Sequence, residues 1–286
     1  MFAVVADTTS DLTLEQLDAL GVHVVPLNVL FGDETYVDAY ELGPAEFYEK
    51  MDAFLPDVPK SACPTSGAFA EAYRAAVAAG SDGIVCLTIS AGVSGTHNAS
   101  VVGAQSCEDM GVPIRCIDSK TTAGTLSLLI EKACALRDEG ATADEAADIL
   151  EACVEQAELF IAMETIEFVI KGGRLEEDKA SELAVKGVLK LRKSDGGVEL
   201  LARPRGLKAQ RTEIVALVED YLDEHPGAIV RFSQANSLER IDKLKEDLDA
   251  KGIAYSDRQP GWIAGLLGVY IGNHSYTVSV FPAELA

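Results

Sequence analysis

The sequence lacks the features of a membrane-spanning or nucleic-acid-binding protein. No apolar run approaches the ~20 residues that a transmembrane helix needs, and no basic segment precedes the apolar start of the chain. Only 24 Lys and Arg residues stand against 46 Asp and Glu residues, for a formal net charge of −22. This charge repels nucleic-acid phosphates and anionic lipid head groups. We therefore expect a cytoplasmic protein with no nucleic-acid partner and no stable membrane insertion.

Cysteine is sparse and dispersed. None of the six cysteines forms a C-x-x-C pair, so neither a zinc cage nor a thioredoxin-like couple is indicated. We expect reduced core thiols, with a functional interpretation only for Cys63, which lies in a hydroxyl-rich segment. The sequence also lacks a G-x-x-x-x-G-K-[ST] phosphate loop and a recognisable acidic cluster for Mg²⁺. We therefore predict no metal and no cofactor.

The hydrophobic pattern predicts an α/β protein with two domains. The chain has 286 residues and is 48% hydrophobic, enough for a substantial core. In its first part, uncharged runs typical of buried strands alternate with helical patterns. These runs are 2–6, 22–30 and 83–89, and 113–118, which contains Arg115 and Asp118, is a further strand candidate. The alternation predicts a Rossmann-like parallel sheet with helices, and we place this N-terminal domain at residues 1–158.

After Glu158 the pattern changes to shorter strands separated by long helices. The segment Ser194-Asp195-Gly196-Gly197 is typical of a tight turn between two strands. Residues 260–281 are apolar and rich in strand-forming types, so we expect them to return to a sheet. The sequence thus predicts a C-terminal α/β domain, residues 159–286, with a mainly antiparallel sheet.

The segment at 88–100, T-I-S-A-G-V-S-G-T-H-N-A-S, follows a strand and opens a helix. Hydroxyls at Ser90, Ser94 and Thr96 fall where the first helical N–H groups lack an intrahelical partner. Glycines such as Gly95 let the backbone approach a ligand closely. The pattern suits an oxyanion, although an ordinary Ser/Thr helix cap has the same composition. Gly95 and Thr96 are therefore candidate supporting residues beside Ser94.

Two further hydroxyl-rich segments precede helices, K-S-A-C-P-T-S-G at 60–67 and D-S-K-T-T-A-G at 118–124. In an open parallel sheet, strand exits meet at one edge, where ligands bind. Neither the 60–67 loop nor the 88–100 loop contains a residue that could act as a base before His97. The sequence therefore favours binding over bond breaking.

Five segments in chain order resemble the DegV family, bacterial proteins that bind a fatty acid and present it to a fatty acid kinase. They are D-T-T-S-D-L at 7–12, S-A-C-P-T-S at 61–66, S-A-G-V-S-G-T at 90–96, D-S-K at 118–120 and K-G-G-R at 171–174. The resemblance implies a non-enzymatic carrier that holds a long-chain fatty acid between two domains. It also implies that Ser61 and Ser94 bond the carboxylate and that a separate fatty acid kinase is the partner, in a route toward phospholipid synthesis.

This chain departs from the family pattern in two places. The family usually has T-S-Q-P where this sequence has S-A-C-P at 61–64, which keeps a hydroxyl at the first position. The histidine of the family's I-G-T-H-T-G-P-G segment falls on Tyr270. The resemblance therefore implies supporting roles near the carboxylate or the kinase for Tyr270, Arg174 and Arg205.

The residues also leave an enzyme open as an alternative. The segment G-V-S-G-T at 92–96 approaches the G-x-S-x-G nucleophile elbow but lacks its final glycine. His97, three residues after Ser94, could share its helical face and act as a base. A serine hydrolase or acyltransferase using Ser94 and His97 is therefore the alternative hypothesis. A phosphate- or sugar-binding module is a third, because helix N-termini also accept phosphate.

Overall fold

The computed structural model describes residues 1–176 and 186–285; residues 177–185 and 286, which fall within the predicted C-terminal domain, lie outside the described part. The elements of the first half, in chain order, are β1 Ala3–Asp7, α1 Leu14–Ala19, β2 Val22–Val25, β3 Asn28–Phe31, β4 Glu34–Val37, α2 Pro44–Phe54, β5 Lys60–Ala62, α3 Ser66–Ala78, β6 Ile84–Thr88, α4 Thr96–Gln105, a 3₁₀ turn Glu108–Met110, β7 Ile114–Asp118, α5 Ala123–Asp138 and α6 Ala143–Gln156.

The first half contains the predicted parallel sheet, four strands in the order β2-β1-β6-β7. The predicted strand at 22–30 is wrong in one respect, because it is two strands in different sheets. Pro26, which has no backbone N–H to continue the ladder, lies between them. The second piece, β3, forms a separate antiparallel sheet in the order β4-β3-β5. Ser61, predicted in a loop, therefore lies in strand β5.

The elements of the second half are β8 Glu158–Met163, α7 Glu167–Lys171, β9 Gly187–Leu191, β10 Val198–Ala202, α8 Leu207–Glu224, β11 Ile229–Gln234, α9 Leu238–Ala250, β12 Gly261–Trp262, α10 Gly265–Ile271, β13 Tyr276–Phe281 and a 3₁₀ turn Ala283–Leu285. Six strands form one sheet in the order β10-β9-β8-β13-β11-β12. All its pairs are antiparallel except β11 with β12. The predicted α/β fold with a parallel sheet and a mainly antiparallel sheet is thereby confirmed.

Two features of the second half differ from the sequence-based expectation. Residues 265–271, expected in a sheet, form helix α10, whose first N–H groups bond to carboxylates from the other half of the chain. Such tertiary contacts override strand propensity. The structure also contains strand β11, which the sequence analysis did not predict. No helix of the described part is both long and apolar enough to span a bilayer.

Helix α5 joins the two halves. It packs on β1 and β6 of the parallel sheet and on β8, β11 and β13 of the mixed sheet. Its first eight residues, Ala123 to Ile130, are all buried. A helix with sheets on both sides has no solvent-exposed face over that stretch, which explains its lack of amphipathic pattern.

A second contact between the halves lies where the 90–95 loop meets the β9–β10 turn. The Ser90 hydroxyl donates a 2.8 Å hydrogen bond to the carbonyl of Gly196. Gly92 lies so close to this turn that a Cβ added to it would stand 2.3 Å from the Asp195 carbonyl oxygen and 2.4 Å from the carbonyl carbon of Gly196. Only glycine fits here without moving backbone.

We therefore expect Gly92→Ala to lower the free energy of unfolding by about 1–3 kcal/mol, because overpacked sites relax only by shifting neighbouring atoms. Urea unfolding followed by circular dichroism measures this. Gly67→Ala in α3 is the matched control, since the nearest atom to its added Cβ is the Thr65 Oγ1 at 3.7 Å. Equal stabilities of the two variants would show that the loop and turn are not held together as described.

Candidate functional site

An apolar cavity lies between the two halves of the molecule. It contains about 630 Å³ of space not filled by protein atoms, solvent at its opening included. Most of its wall is aliphatic. The residues that line it are Leu27, Ser61, Ile89, Val93, Ser94, Thr122, Ile161, Met163, Val169, Arg174, Leu189, Leu191, Val198, Leu266, Leu267, Tyr270 and Ile271.

The polar groups of this cavity are linked by a chain of contacts. The Ser61 Oγ and Tyr270 hydroxyl lie 2.5 Å apart, and the Arg174 guanidinium lies over the Tyr270 ring, 4.4 Å from its centroid. The Arg174 Nε donates to the carbonyl of Val93 at 3.1 Å, and Ser94 is the next residue. We call Ser61, Ser94, Arg174 and Tyr270 the polar end of the cavity. The structure thus brings four of the predicted site residues together.

Three elements that are far apart in the sequence hold this polar end in place. Ser61 is held by the pairing of β5 with Val29 of β3. Tyr270 comes from α10. Arg174 follows the turn at 171–174, where a Cβ added to Gly172 would stand 2.5 Å from the Tyr270 Cδ1. Of the two glycines of K-G-G-R, Gly172 makes room for the Tyr270 ring, whereas Gly173, with a φ of +71°, ends the helix.

Ser94 lies just before helix α4, whose N-cap is Gly95. As predicted for a hydroxyl at this position, the Ser94 Oγ accepts a 3.3 Å hydrogen bond from the N–H of Thr96, the first residue of the helix. It also lies 2.8 Å from the Thr96 Oγ1. Thr96 is fully buried, so it fixes the Ser94 hydroxyl from behind.

His97 and Arg205 lie apart from the polar end. The His97 Nδ1 is 3.3 Å from the Thr88 Oγ1, and His97 lines a separate pocket with Asp118 and Lys120. Burial lowers the pKa of His97. Arg205 is exposed in the loop between β10 and α8 and is not part of the cavity wall. The structure therefore does not place His97 as a base on Ser94.

Sequence reasoning missed the residues that hold α10. The Asp11 Oδ1 accepts from the Ala264 N–H at 2.9 Å, and the Asp38 Oδ1 accepts from the Leu266 N–H at 3.2 Å. Both carboxylates are buried at the start of the helix, where negative charge is favourable. Asp11 belongs to the 7–12 segment that resembles the family, but Asp38 lies in the polar stretch 31–40, which predicts a turn or hairpin and no contact with a distant helix.

Burial dominates the electrostatics of these carboxyls. It raises the pKa of Asp11 to about 7, against the lowering effect of the Ala264 N–H. It raises the pKa of Asp38 to about 6, against hydrogen bonds from Thr8 and Leu266. Asp7, whose Oδ2 accepts from the Ile89 N–H at 2.7 Å, also has a pKa raised by burial. The described residues include no group of three or more His, Cys, Asp or Glu arranged to hold a metal ion.

The family model described as "Uncharacterised protein, DegV family" matches residues 1–283. Among curated relatives, the DegV domain-containing protein SA1258 of Staphylococcus aureus (strain N315) is 30% identical over 246 residues, which cover 85% of each chain.

Two solved structures are similar over nearly the whole chain. One is the DegV family protein from Thermus thermophilus described under the heading of fatty acid binding, with 25% identity, a TM-score of 0.88, and coverage of 98% of this chain and 99% of that one. The other is a stearic-acid-binding protein from Eubacterium ventriosum, also with 25% identity and a TM-score of 0.88, covering 99% and 98%.

The raised pKa of Asp11 predicts a pH dependence of stability. Because the folded value of about 7 exceeds the ordinary 3.8, the folded protein binds more protons than the unfolded chain between these values. The contribution of Asp11 to the unfolding free energy is therefore full below pH ~4 and is lost as the pH rises through ~7. Asp11→Asn retains an acceptor for the Ala264 N–H but cannot ionise.

We expect the stability of wild type minus that of Asp11→Asn to fall between about pH 4.5 and 7.5 in urea unfolding. Asp33→Asn, at an exposed turn, is the control and should give a difference that hardly changes with pH. A stability difference for Asp11→Asn that does not change with pH would contradict a buried Asp11 carboxyl with a raised pKa.

Proposed function

This chain belongs to the DegV family, and we propose that it binds one long-chain fatty acid between its halves and presents the carboxyl group to a separate fatty acid kinase, toward phospholipid synthesis. The observation that carries the proposal is the aliphatic cavity with Ser61, Ser94, Arg174 and Tyr270 gathered at its polar end. The fatty acids named for the Thermus and Eubacterium relatives support the same ligand class. The chain itself then acts as a carrier and not as an enzyme.

The aliphatic wall supplies the affinity. Burial of an acyl chain contributes ~0.8 kcal/mol per methylene, so about fifteen carbons contribute roughly 12 kcal/mol before losses. The entropy of association and the ordering of the chain offset much of this. Under this proposal, residues 1–158 form a domain that supplies Ser61 and Ser94, and residues 159–286 form a second domain that covers the acyl chain.

The polar end fixes the carboxylate. Tyr270 can donate its proton to the Ser61 Oγ, and Thr96 donates to the Ser94 Oγ, so each serine keeps its own proton for a ligand oxygen. Hydrogen bonds to a charged group contribute about 1.5–3 kcal/mol each. Arg174 adds a positive charge beside them. Tyr270 thereby replaces the histidine usual in the family with a neutral hydroxyl donor.

The carboxyl end of the cavity faces a groove that a kinase can reach. Ser61, Arg174 and Tyr270 line both the cavity and this outer groove, whose other members include Lys60 and Lys171. Lys60, Lys171 and Arg174 all line this groove in a chain of net charge −22, and Lys171 is paired with Glu167. Their charge favours the anionic carboxylate and the phosphoryl group transferred to it. Arg205, which lies elsewhere on the surface, is proposed only as a contact for the partner.

The ligand assignment is tested by mass spectrometry of lipid extracted from the purified protein, which should release free fatty acid at about one per chain. In calorimetry of the delipidated protein, Ser94→Ala and Ser61→Ala should each weaken fatty acid binding by about 1–3 kcal/mol, or roughly 5- to 150-fold. Ser106→Ala, at an exposed helix end, should leave binding unchanged. If no lipid is extracted and neither serine variant changes fatty acid binding, the proposed carrier function is refuted.

The proposal that a separate kinase performs the phosphorylation can be tested independently. Protein loaded with radiolabelled fatty acid should yield acyl phosphate only when a bacterial fatty acid kinase and ATP are both added. Alone, it should not turn over p-nitrophenyl acyl esters, because His97 faces Thr88 instead of Ser94. Ser94-dependent ester turnover that disappears in His97→Ala would instead establish the hydrolase.

A further inference from the structure

Two free cysteines lie side by side in the parallel sheet, away from the cavity. Cys86 in β6 and Cys116 in β7 are register partners on adjacent parallel strands. Paired residues point to the same face, and both thiols pack against the layer formed by α3 and α4. Neighbouring strands are about 4.8 Å apart, within the ~4.4–6.8 Å between Cα atoms that a disulfide spans. The backbone therefore places the two residues at a Cα separation that a disulfide can span.

The two thiols differ in accessibility. Cys86 is fully buried, whereas Cys116 is only partly buried. Cys116 borders two surface pockets, one shared with Val101 and Gln105 and the other with Asp118 and Lys120. Cys116 is therefore the more accessible of the two cysteines.

The surroundings of Cys116 favour its thiolate. Hydrogen bonds from the Cys86 thiol and the Tyr73 hydroxyl lower the pKa of Cys116, whereas burial raises the pKa of Cys86 well above its usual range. The Tyr73 hydroxyl lies 3.6 Å from the Cys116 Sγ and 3.2 Å from the Ser100 carbonyl. Its single proton can go to either, and an ionised sulfur is the stronger acceptor.

We propose that Cys116 and Cys86 form a peroxide-sensitive thiol pair, in which Cys116 reacts with a hydroperoxide and Cys86 closes the disulfide. The Cys116 thiolate attacks hydrogen peroxide, an S–O bond forms, the O–O bond breaks, and the hydroxide that leaves takes a proton to become water. The Cys86 sulfur then attacks the sulfenic acid, the S–S bond forms, and the S–O bond breaks. The Cys86 proton leaves with the second hydroxide as water.

The disulfide would link the two strands that lead into the site. β6 continues into the loop that carries Ser94, and β7 ends at Asp118, whose Oδ1 accepts from the Ala91 N–H at 2.9 Å. The proposal concerns the thiols alone and does not depend on the fatty acid.

Cys63 is the one cysteine with an exposed side chain in the described residues, so the test uses the full chain with Cys63→Ser. The protein is treated with hydrogen peroxide, unfolded, alkylated with N-ethylmaleimide and mapped by peptide mass spectrometry. We expect loss of two alkylatable thiols, a linked Cys86–Cys116 peptide about 2 Da lighter than the two separate peptides, and recovery with dithiothreitol.

Single variants assign the two roles. Cys86→Ser should trap Cys116 as a sulfenic acid that reacts with dimedone, whereas Cys116→Ser should leave Cys86 unmodified. Cys134→Ser, in the core on the other face of the sheet, should still form the linked peptide. The proposal is overturned if Cys86 and Cys116 both remain alkylatable after treatment, or if the dominant disulfide joins other cysteines. Peptide mapping of the Cys63→Ser protein decides this even if a variant of buried Cys86 fails to fold.

Discussion

The polar end of the cavity depends on the packing of the Arg174 guanidinium over the ring of Tyr270. A cation over an aromatic face contributes about 0.5–2 kcal/mol, more when water is excluded. This contact joins the turn after α7 to helix α10, and hydrogen bonds extend it to Ser61 in β5 and to the carbonyl beside Ser94. The stack thereby connects side chains from four separate segments at one end of the cavity. Gly172 is the condition for it, because any larger residue would occupy the space of the ring.

Helix α10 explains why two carboxyl groups lie buried in the core. Asp11 and Asp38 satisfy the Ala264 and Leu266 N–H groups, which a short helix of seven residues leaves without intrahelical partners. Burying two carboxyls is costly because the charged form loses its hydration, and this burial raises the pKa of each. Leu266, Leu267 and Ile271 gain a fixed orientation toward the cavity as a result. The stability of the wall is therefore coupled to the ionisation of groups that do not line the cavity.

The sequence was informative where local chemistry decides the structure. Buried strands such as β1 and β6 follow from uncharged runs, and the Ser194–Gly197 turn follows from its glycines and aspartate. The prediction from sequence was wrong where contacts between residues far apart in the chain decide the structure. Residues 265–271 have strand-forming side chains but become helical through Asp11 and Asp38, and no local pattern connects Asp38 with a helix more than 200 residues away. Family motifs located Ser61, Ser94, Arg174 and Tyr270, but the contact of Tyr270 with Ser61 required coordinates.

Charge distribution explains how an acidic protein can accept an anion. The net charge of −22 opposes a fatty acid anion at long range, but at physiological ionic strength the field of each exposed charge decays over about 8 Å. Lys60, Lys171 and Arg174 line the outer groove beside the polar end. Lys171 is paired with Glu167 at 2.5 Å, and the described hydrogen bonds of Arg174 go to the carbonyls of Val93 and Gly172. An anion approaching this groove is repelled by the net negative charge of the chain and is then attracted by the cations of the groove. Because these two effects oppose each other, the arrangement favours a ligand whose apolar tail supplies most of the binding energy.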